Sequence, residues 1–147
     1  MLRQIALGIS ISLVNFAIHS FLVAAVVVAA HRAVHATIRL PASRRLVMVT
    51  GAAAAVLLFG HVAEVGVWAV FYAMADVAPP AADPFYFAFV NYTTLGYGDV
   101  VPSAEWRLIG PITAMNGVLL FGWSTAVLFD VIRTTGESVR QRGRGGD

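Results

Sequence analysis

The chain has 147 residues, 59% of them hydrophobic and 12% charged, with a formal net charge of +2. Its mean hydropathy is +0.76. Soluble domains carry about 25% charged and about 45–50% apolar residues, so this balance excludes a disordered chain and a nucleic-acid binder. The absence of cysteine excludes a disulfide framework, a thiolate metal site and a cysteine nucleophile. These features describe an integral membrane protein.

A run without Asp, Glu, Arg or Lys extends from Gln4 to Ala30. About 20 mainly apolar residues cross about 30 Å of hydrocarbon, so this run predicts a first membrane helix. It is too long for the h-region of a signal peptide, about 7–15 residues, and only Arg3 precedes it. A basic loop follows, with Arg32, Arg39, Arg44 and Arg45 beside His31 and His35. The two histidines have i, i+4 spacing, which suits either a metal or an exposed polar face. No further ligand signature accompanies them, which favours the exposed face.

The second span is predicted at Leu46 to Ala75, with Glu64 its single formal charge. An ionisable group at that depth is costly and marks a candidate site. Glu64 and His61, three residues apart, read as a buried pair that senses pH or braces a neighbouring element. The alternative is a hydrogen-bonding partner for Asn15, His19 and Ser20 of the first span.

Val77 to Asp83 is a turn-rich linker, Val-Ala-Pro-Pro-Ala-Ala-Asp. Asp83-Pro84 then marks a helix start, with a capping carboxylate and a proline at the first helical position. The aromatic run Phe85 to Tyr92 predicts a helix from Pro84 to Thr93, about 15 Å long and half a bilayer. Glycines break it, and Pro102 with Ser103 restarts the chain toward a third span, Leu108 to Phe129, which carries no charge. A half-length helix that enters and returns is a re-entrant loop, tolerable only when buried in protein or lining water.

Arginines also gather after the third span, at Arg133, Arg140, Arg142 and Arg144, whereas the connection between spans two and three is acidic, with Asp76, Asp83, Asp99 and Glu105 against Arg107. The positive-inside rule places both basic segments in the cytoplasm and the acidic connection and the N-terminus outside. Arginine without lysine, and abundant alanine, point to a GC-rich bacterium and hence its inner membrane.

The returning segment reads Thr93-Thr94-Leu95-Gly96-Tyr97-Gly98-Asp99. Here the sequence resembles the potassium channel pore family, whose filter has the form T-V-G-Y-G followed by aspartate. The resemblance covers roughly Leu46 to Arg133, with leucine in place of the commoner valine. It implies an all-α membrane protein of three transmembrane helices, with a re-entrant pore helix and selectivity-filter loop between the second and third. Residues 1–45 would be a peripheral span with its basic loop, 46–133 the pore module, and 134–147 a short basic tail that meets lipid headgroups rather than folding.

The resemblance also implies roles for individual residues. Carbonyls of Thr94, Leu95, Gly96 and Tyr97, with the Thr94 hydroxyl, would form stacked K⁺ sites, and Gly98 would complete the outer mouth. Gly96 and Gly98 sit at alternate positions, where a strand whose carbonyls share one side needs conformations that glycine adopts readily. Thr93, Asp99, Tyr86 and Phe87 would support the filter, with Tyr97 packed behind it on Tyr86 and Phe87 and Asp99 accepting a hydrogen bond. Gly117 and Gly122 fall near the hinge and close-packing glycines of channel inner helices. Val118, Phe121, Thr125 and Phe129 share a helical face that would line the cavity, and Phe129 suits either a hydrophobic constriction or packing. Asp130 either concentrates cations at the inner mouth or ends the helix in water.

One loop supplies one wall, so the family resemblance implies a homotetramer in the lipid bilayer, passing K⁺ passively, with no enzymatic chemistry, no cofactor beyond bound K⁺ and no nucleic-acid partner. A weakly selective monovalent cation channel and a membrane subunit of an ion-transport assembly are the alternatives. No span carries arginine at every third position, so no voltage-sensor signature is present, and the tail is too short for a nucleotide- or calcium-binding domain.

Overall fold

The computed structural model describes residues 1–37 and 39–144, with side chains through residue 137. The described residues are all-helical, without strands: α1 (Leu2–Ala36), α2 (Ala42–Met74), α3 (Pro84–Tyr92), a single 3-10 turn at Ala104–Trp106, and α4 (Ile109–Arg144). Three of these helical stretches, Leu2–Ala36, Ala42–Met74 and Ala104–Glu137, are long and apolar enough to cross a membrane. At about 1.5 Å per residue, each exceeds the hydrocarbon thickness and extends past the apolar runs.

Local chemistry sets the helix ends. Asp83 caps α3, its carboxylate accepting from the backbone N–H of Phe85 at 2.7 Å and of Tyr86 at 3.0 Å. Beyond the end of α2, Asp76 takes a left-handed φ of 51° and the Val77 N–H returns to the Tyr72 carbonyl at 3.1 Å, a closure that satisfies a carbonyl orphaned at the helix end. The restart at Pro102-Ser103 yields the short 3-10 turn first, and α4 begins at Ile109.

The expectation that residues 134–147 stay unfolded is corrected: α4 continues to Arg144. Nothing stops it at Arg133, since the next residues hold no proline and a lone helical glycine costs only about 1 kcal/mol. Arg133 also pairs with Glu137 one turn on, at 3.0 Å. The side chains of Arg140, Arg142 and Arg144 lie outside the described residues.

The chain divides into two compact units. The first, Met1–His19 with His61–Gly122, has an aromatic core in which Trp68, Tyr72, Phe87, Tyr92 and Trp106 are all buried. Rings of Trp68 and Tyr72 lie 6.1 Å apart, and those of Tyr72 and Phe87 5.3 Å apart. The start of α1 joins this core through Leu7, Ile11 and Phe16. Gln4 accepts from the Leu108 N–H at 3.0 Å, and Arg3 lies over the Trp106 ring at 5.2 Å. The second unit, Ser20–Gly60 with Trp123–Asp147, is aliphatic, built on Val26, Val34, Val49, Leu57, Val127 and Val131. It leaves a groove of about 460 Å³ lined mainly by small residues, among them Ala25, Ala29, Ala33 and Ala52.

Candidate functional site

Helix α3 ends abruptly, one residue before the predicted Thr93. The Thr94 N–H returns to the Asn91 carbonyl at 3.1 Å and the Leu95 N–H to the Val90 carbonyl at 3.0 Å, the paired bonds of a Schellman closure. The left-handed position in that motif is normally glycine; here Thr94 occupies it with a φ of 61°. A β-branched residue there is an outlier, and left-handed helical geometry costs a side-chain-bearing residue roughly 1–2 kcal/mol. Gly96 and Gly98 follow with φ of 57° and 80°, while Leu95 and Tyr97 do not have positive φ. Left-handed and ordinary residues therefore alternate from Thr94 to Gly98. Glycine tolerates this without strain, but threonine does not, so something other than conformation selects Thr94.

Within one chain this segment is uncovered: Thr94 to Asp99 are all exposed, Leu95 by 51% and Tyr97 by 70%. The expected place of Phe87 behind Tyr97 is not the one it takes. Phe87 instead lies 1% exposed in the aromatic core against Tyr72, because the buried face of α3 (Phe87, Ala88, Val90, Tyr92) turns it inward. Tyr86, on the exposed side, donates its hydroxyl to Asp99 Oδ2 at 2.6 Å. That bond to a carboxylate holds the Tyr86 phenol above its ordinary pKa. Thr93 donates its hydroxyl to the Phe89 carbonyl at 2.8 Å and so closes the last turn of α3.

Beneath the loop lies a buried polar cluster. Glu64 is fully buried, with His19 Nδ1 at 2.8 Å from one carboxylate oxygen and His61 Nδ1 at 3.0 Å from the other. Tyr92, the last residue of α3, donates its hydroxyl to the second oxygen at 2.5 Å. Asn15 donates to the Glu64 carbonyl at 3.2 Å and to Asn116 Oδ1 at 3.1 Å, and Asn116 Oδ1 also accepts from Trp68 Nε1 at 2.9 Å. The two readings of Glu64 thus converge, since one carboxylate meets both His61 and the first helix. Ser20 is exposed. Asn15 and His19 were legible as polar residues in an apolar span, but Tyr92 was hidden in an aromatic run and Asn116 carried no motif.

The glycines of α4 differ. A side chain at Gly117 would overlap the Tyr92 carbonyl, whereas Gly122 has nothing within 4 Å of where a Cβ would stand. Close packing within the chain therefore falls at Gly117, where the resemblance implied a hinge. Among the expected cavity residues, Val118, Thr125 and Phe129 are exposed. Phe121 is half-buried and packs on the rings of His61 at 4.6 Å and Tyr92 at 5.3 Å, so it braces the end of α3. Asp130 is exposed, as are His31 and His35. His31 Nδ1 lies 2.8 Å from the Val27 carbonyl in its own helix.

Residues 60–134, half of the chain, match the family described as ion channel, and the chain belongs to that family, the one of the two-span potassium channel pore. It is a multi-pass membrane protein of the channel class. A 65-residue stretch is 38% identical to the potassium voltage-gated channel subfamily A member 2 of Xenopus laevis. That match covers 41% of this chain and 13% of the relative, so the chain spans a small part of that protein's length. No solved structure matches.

Proposed function

We propose that the protein is a potassium-selective channel in which four copies surround one pore and Thr94 to Gly98 form the filter. The observation that carries this reading is the alternation of left-handed φ at Thr94, Gly96 and Gly98. Alternating left- and right-handed residues turn successive carbonyls to one side of a strand. Several such strands then replace the water shell of a dehydrated cation with oxygens. The threonine at the first left-handed position is accounted for on this reading: its hydroxyl adds a further oxygen below the carbonyl sites. Exposure of Thr94 to Asp99 in the single chain agrees with surfaces that neighbouring copies cover.

The remaining parts serve this site. The C-terminus of α3 carries partial negative charge and favours a cation beyond it. Glu64 and His61 hold Tyr92 at that terminus, Gly117 lets α4 approach its carbonyl, and Tyr86 holds Asp99. The distribution of arginine supports a cytoplasmic C-terminus and an outward filter loop, and arginine without lysine with abundant alanine supports a bacterial inner membrane. Conduction is passive.

The test is the reversal potential of the full chain in liposomes with K⁺ on one side and Na⁺ on the other. A value near the K⁺ equilibrium potential, lost together with the current or the selectivity in Gly96→Ala, is expected. A clear current reversing near zero would make the protein a weakly selective cation channel and overturn the selectivity reading.

A further inference from the structure

The buried cluster gathers two imidazole nitrogens and a phenol around one carboxylate. His61 Nδ1, Glu64 Oε2 and Tyr92 Oη form a closed triangle: 3.0 Å from nitrogen to carboxylate, 3.0 Å from nitrogen to phenol, 2.5 Å from phenol to carboxylate. A neutral imidazole and a phenol bring at most two protons to these three edges. Hydrogen bonds weaken steeply as they bend, and a closed triangle cannot contain three straight ones. A fourth atom, His19 Nδ1, closes on the same carboxylate from another helix at 2.8 Å. His19, Glu64 and Tyr92 are fully buried and His61 is 9% exposed.

We propose that His19, His61 and Glu64, with the Tyr92 hydroxyl as a fourth donor, form a binding site for a divalent transition-metal ion of the zinc class. Donor atoms of the two histidines and the glutamate all lie within 4.8 Å of one another. Two imidazoles and one carboxylate are a ligand set that four-coordinate zinc accepts, whereas magnesium and calcium prefer all-oxygen shells. Bonds to zinc of about 2.0–2.1 Å put neighbouring ligands about 3.3 Å apart. The bonded donors, now 2.5–3.0 Å apart, would separate by about 0.3–0.8 Å to admit the ion between them. A cation also answers the carboxylate charge, which is costly to hold inside a membrane. Protons on the coordinating atoms leave to solvent as the ion binds. The ligands come from α1, α2 and α3, so the ion would lock the first helix to the last residue of α3.

The experiment uses the full chain purified in detergent, stripped with a chelator and then loaded with Zn²⁺ or Co²⁺. Elemental analysis after gel filtration is expected to give one zinc per chain, and the Co²⁺ form the visible absorption of a four-coordinate site. Thermal unfolding shifts upward with Zn²⁺. Glutamine can still hydrogen-bond to Glu64, so His19→Gln and His61→Gln should fold, as unchanged elution and helical content would verify. Each is expected to weaken binding by at least about 100-fold, the upper end for loss of a mere supporting partner. His31→Gln/His35→Gln should keep the ion. Wild-type protein that retains no more zinc than the His19→Gln/His61→Gln variant overturns the proposal and leaves a hydrogen-bonded brace. Zinc that disappears instead with His31 and His35 overturns it as well. The Co²⁺ spectrum of the unaltered chain decides even where a variant fails to fold.

Discussion

The two compact units of this chain are built from opposite materials. The unit containing α3 and its loop is tied by aromatic rings and buried polar bonds: Trp68 and Asn15 on Asn116, Tyr72 on Thr113, and His19, His61 and Tyr92 on Glu64. The other unit is valine, alanine and leucine around an apolar groove. Lipid is as apolar as leucine, so burial supplies little force to hold helices together in a membrane. Close packing and interhelical hydrogen bonds must do it. In the first unit, directional bonds tie the elements beside the strained loop. Among the described residues the aliphatic unit carries no such loop, and it packs with small residues.

The largest expected effect lies within the first unit, between two glycines of one helix. Gly117→Ala drives a methyl group into the Tyr92 backbone and is expected to lower stability by about 3 kcal/mol, with loss of ion selectivity. Gly122→Ala meets open space and should leave the thermal midpoint unchanged, or raise stability by up to about 1 kcal/mol through helix propensity. Thermal unfolding in detergent and the reversal potential of each variant read both effects. Equal losses at the two positions would break the comparison.

A smaller effect is expected at the polar link. Asn116→Ala removes the acceptor shared by Asn15 and Trp68. Interhelical hydrogen bonds in membranes are worth about 0.6 kcal/mol on average and up to about 1.7, so the expected loss from two of them is about 1–2 kcal/mol. Val49→Ala in the aliphatic unit should leave the reversal potential unchanged, because it touches nothing that positions the loop. A selectivity change there equal to that of Asn116→Ala would contradict the idea that directional bonds matter most beside the loop.

The smallest effect is expected at Tyr86. Bonding to Asp99 raises the phenol above its ordinary value of 10.0. The folded state therefore favours the protonated phenol. This contribution is complete below the ordinary phenol value and is lost as pH rises through the raised one. Tyr86→Phe should remove that alkaline dependence of the thermal midpoint, with a small loss of stability at neutral pH, where the contribution is complete, and none at high pH. An unaltered alkaline profile in the variant would exclude the Tyr86–Asp99 bond as its source.

Much of this was legible in the chain itself. Apolar runs with at most one charge, bounded by charged residues, defined three spans, because charge is costly in hydrocarbon and the cost is local to each residue. Asp83-Pro84 marked the start of α3, since a capping carboxylate and a fixed proline φ act within one turn. The spacing of Gly96 and Gly98 marked where the backbone takes left-handed values. All of these depend on short-range chemistry, which is written in order along the sequence.

Tertiary structure decided the rest. It set Thr94 in a left-handed turn normally left to glycine, because the closure of α3 demanded that geometry there. Phe87 turned into the aromatic core and Phe121 onto His61 and Tyr92, since which face of an almost wholly apolar helix is buried depends on its neighbours. Glu64 had two readable partners; packing brought His19, His61 and Tyr92 to it together. Residue 19, the pair 61 and 64, and residue 92 are far apart along the chain, and no local pattern encodes contacts that arise only when three helices pack.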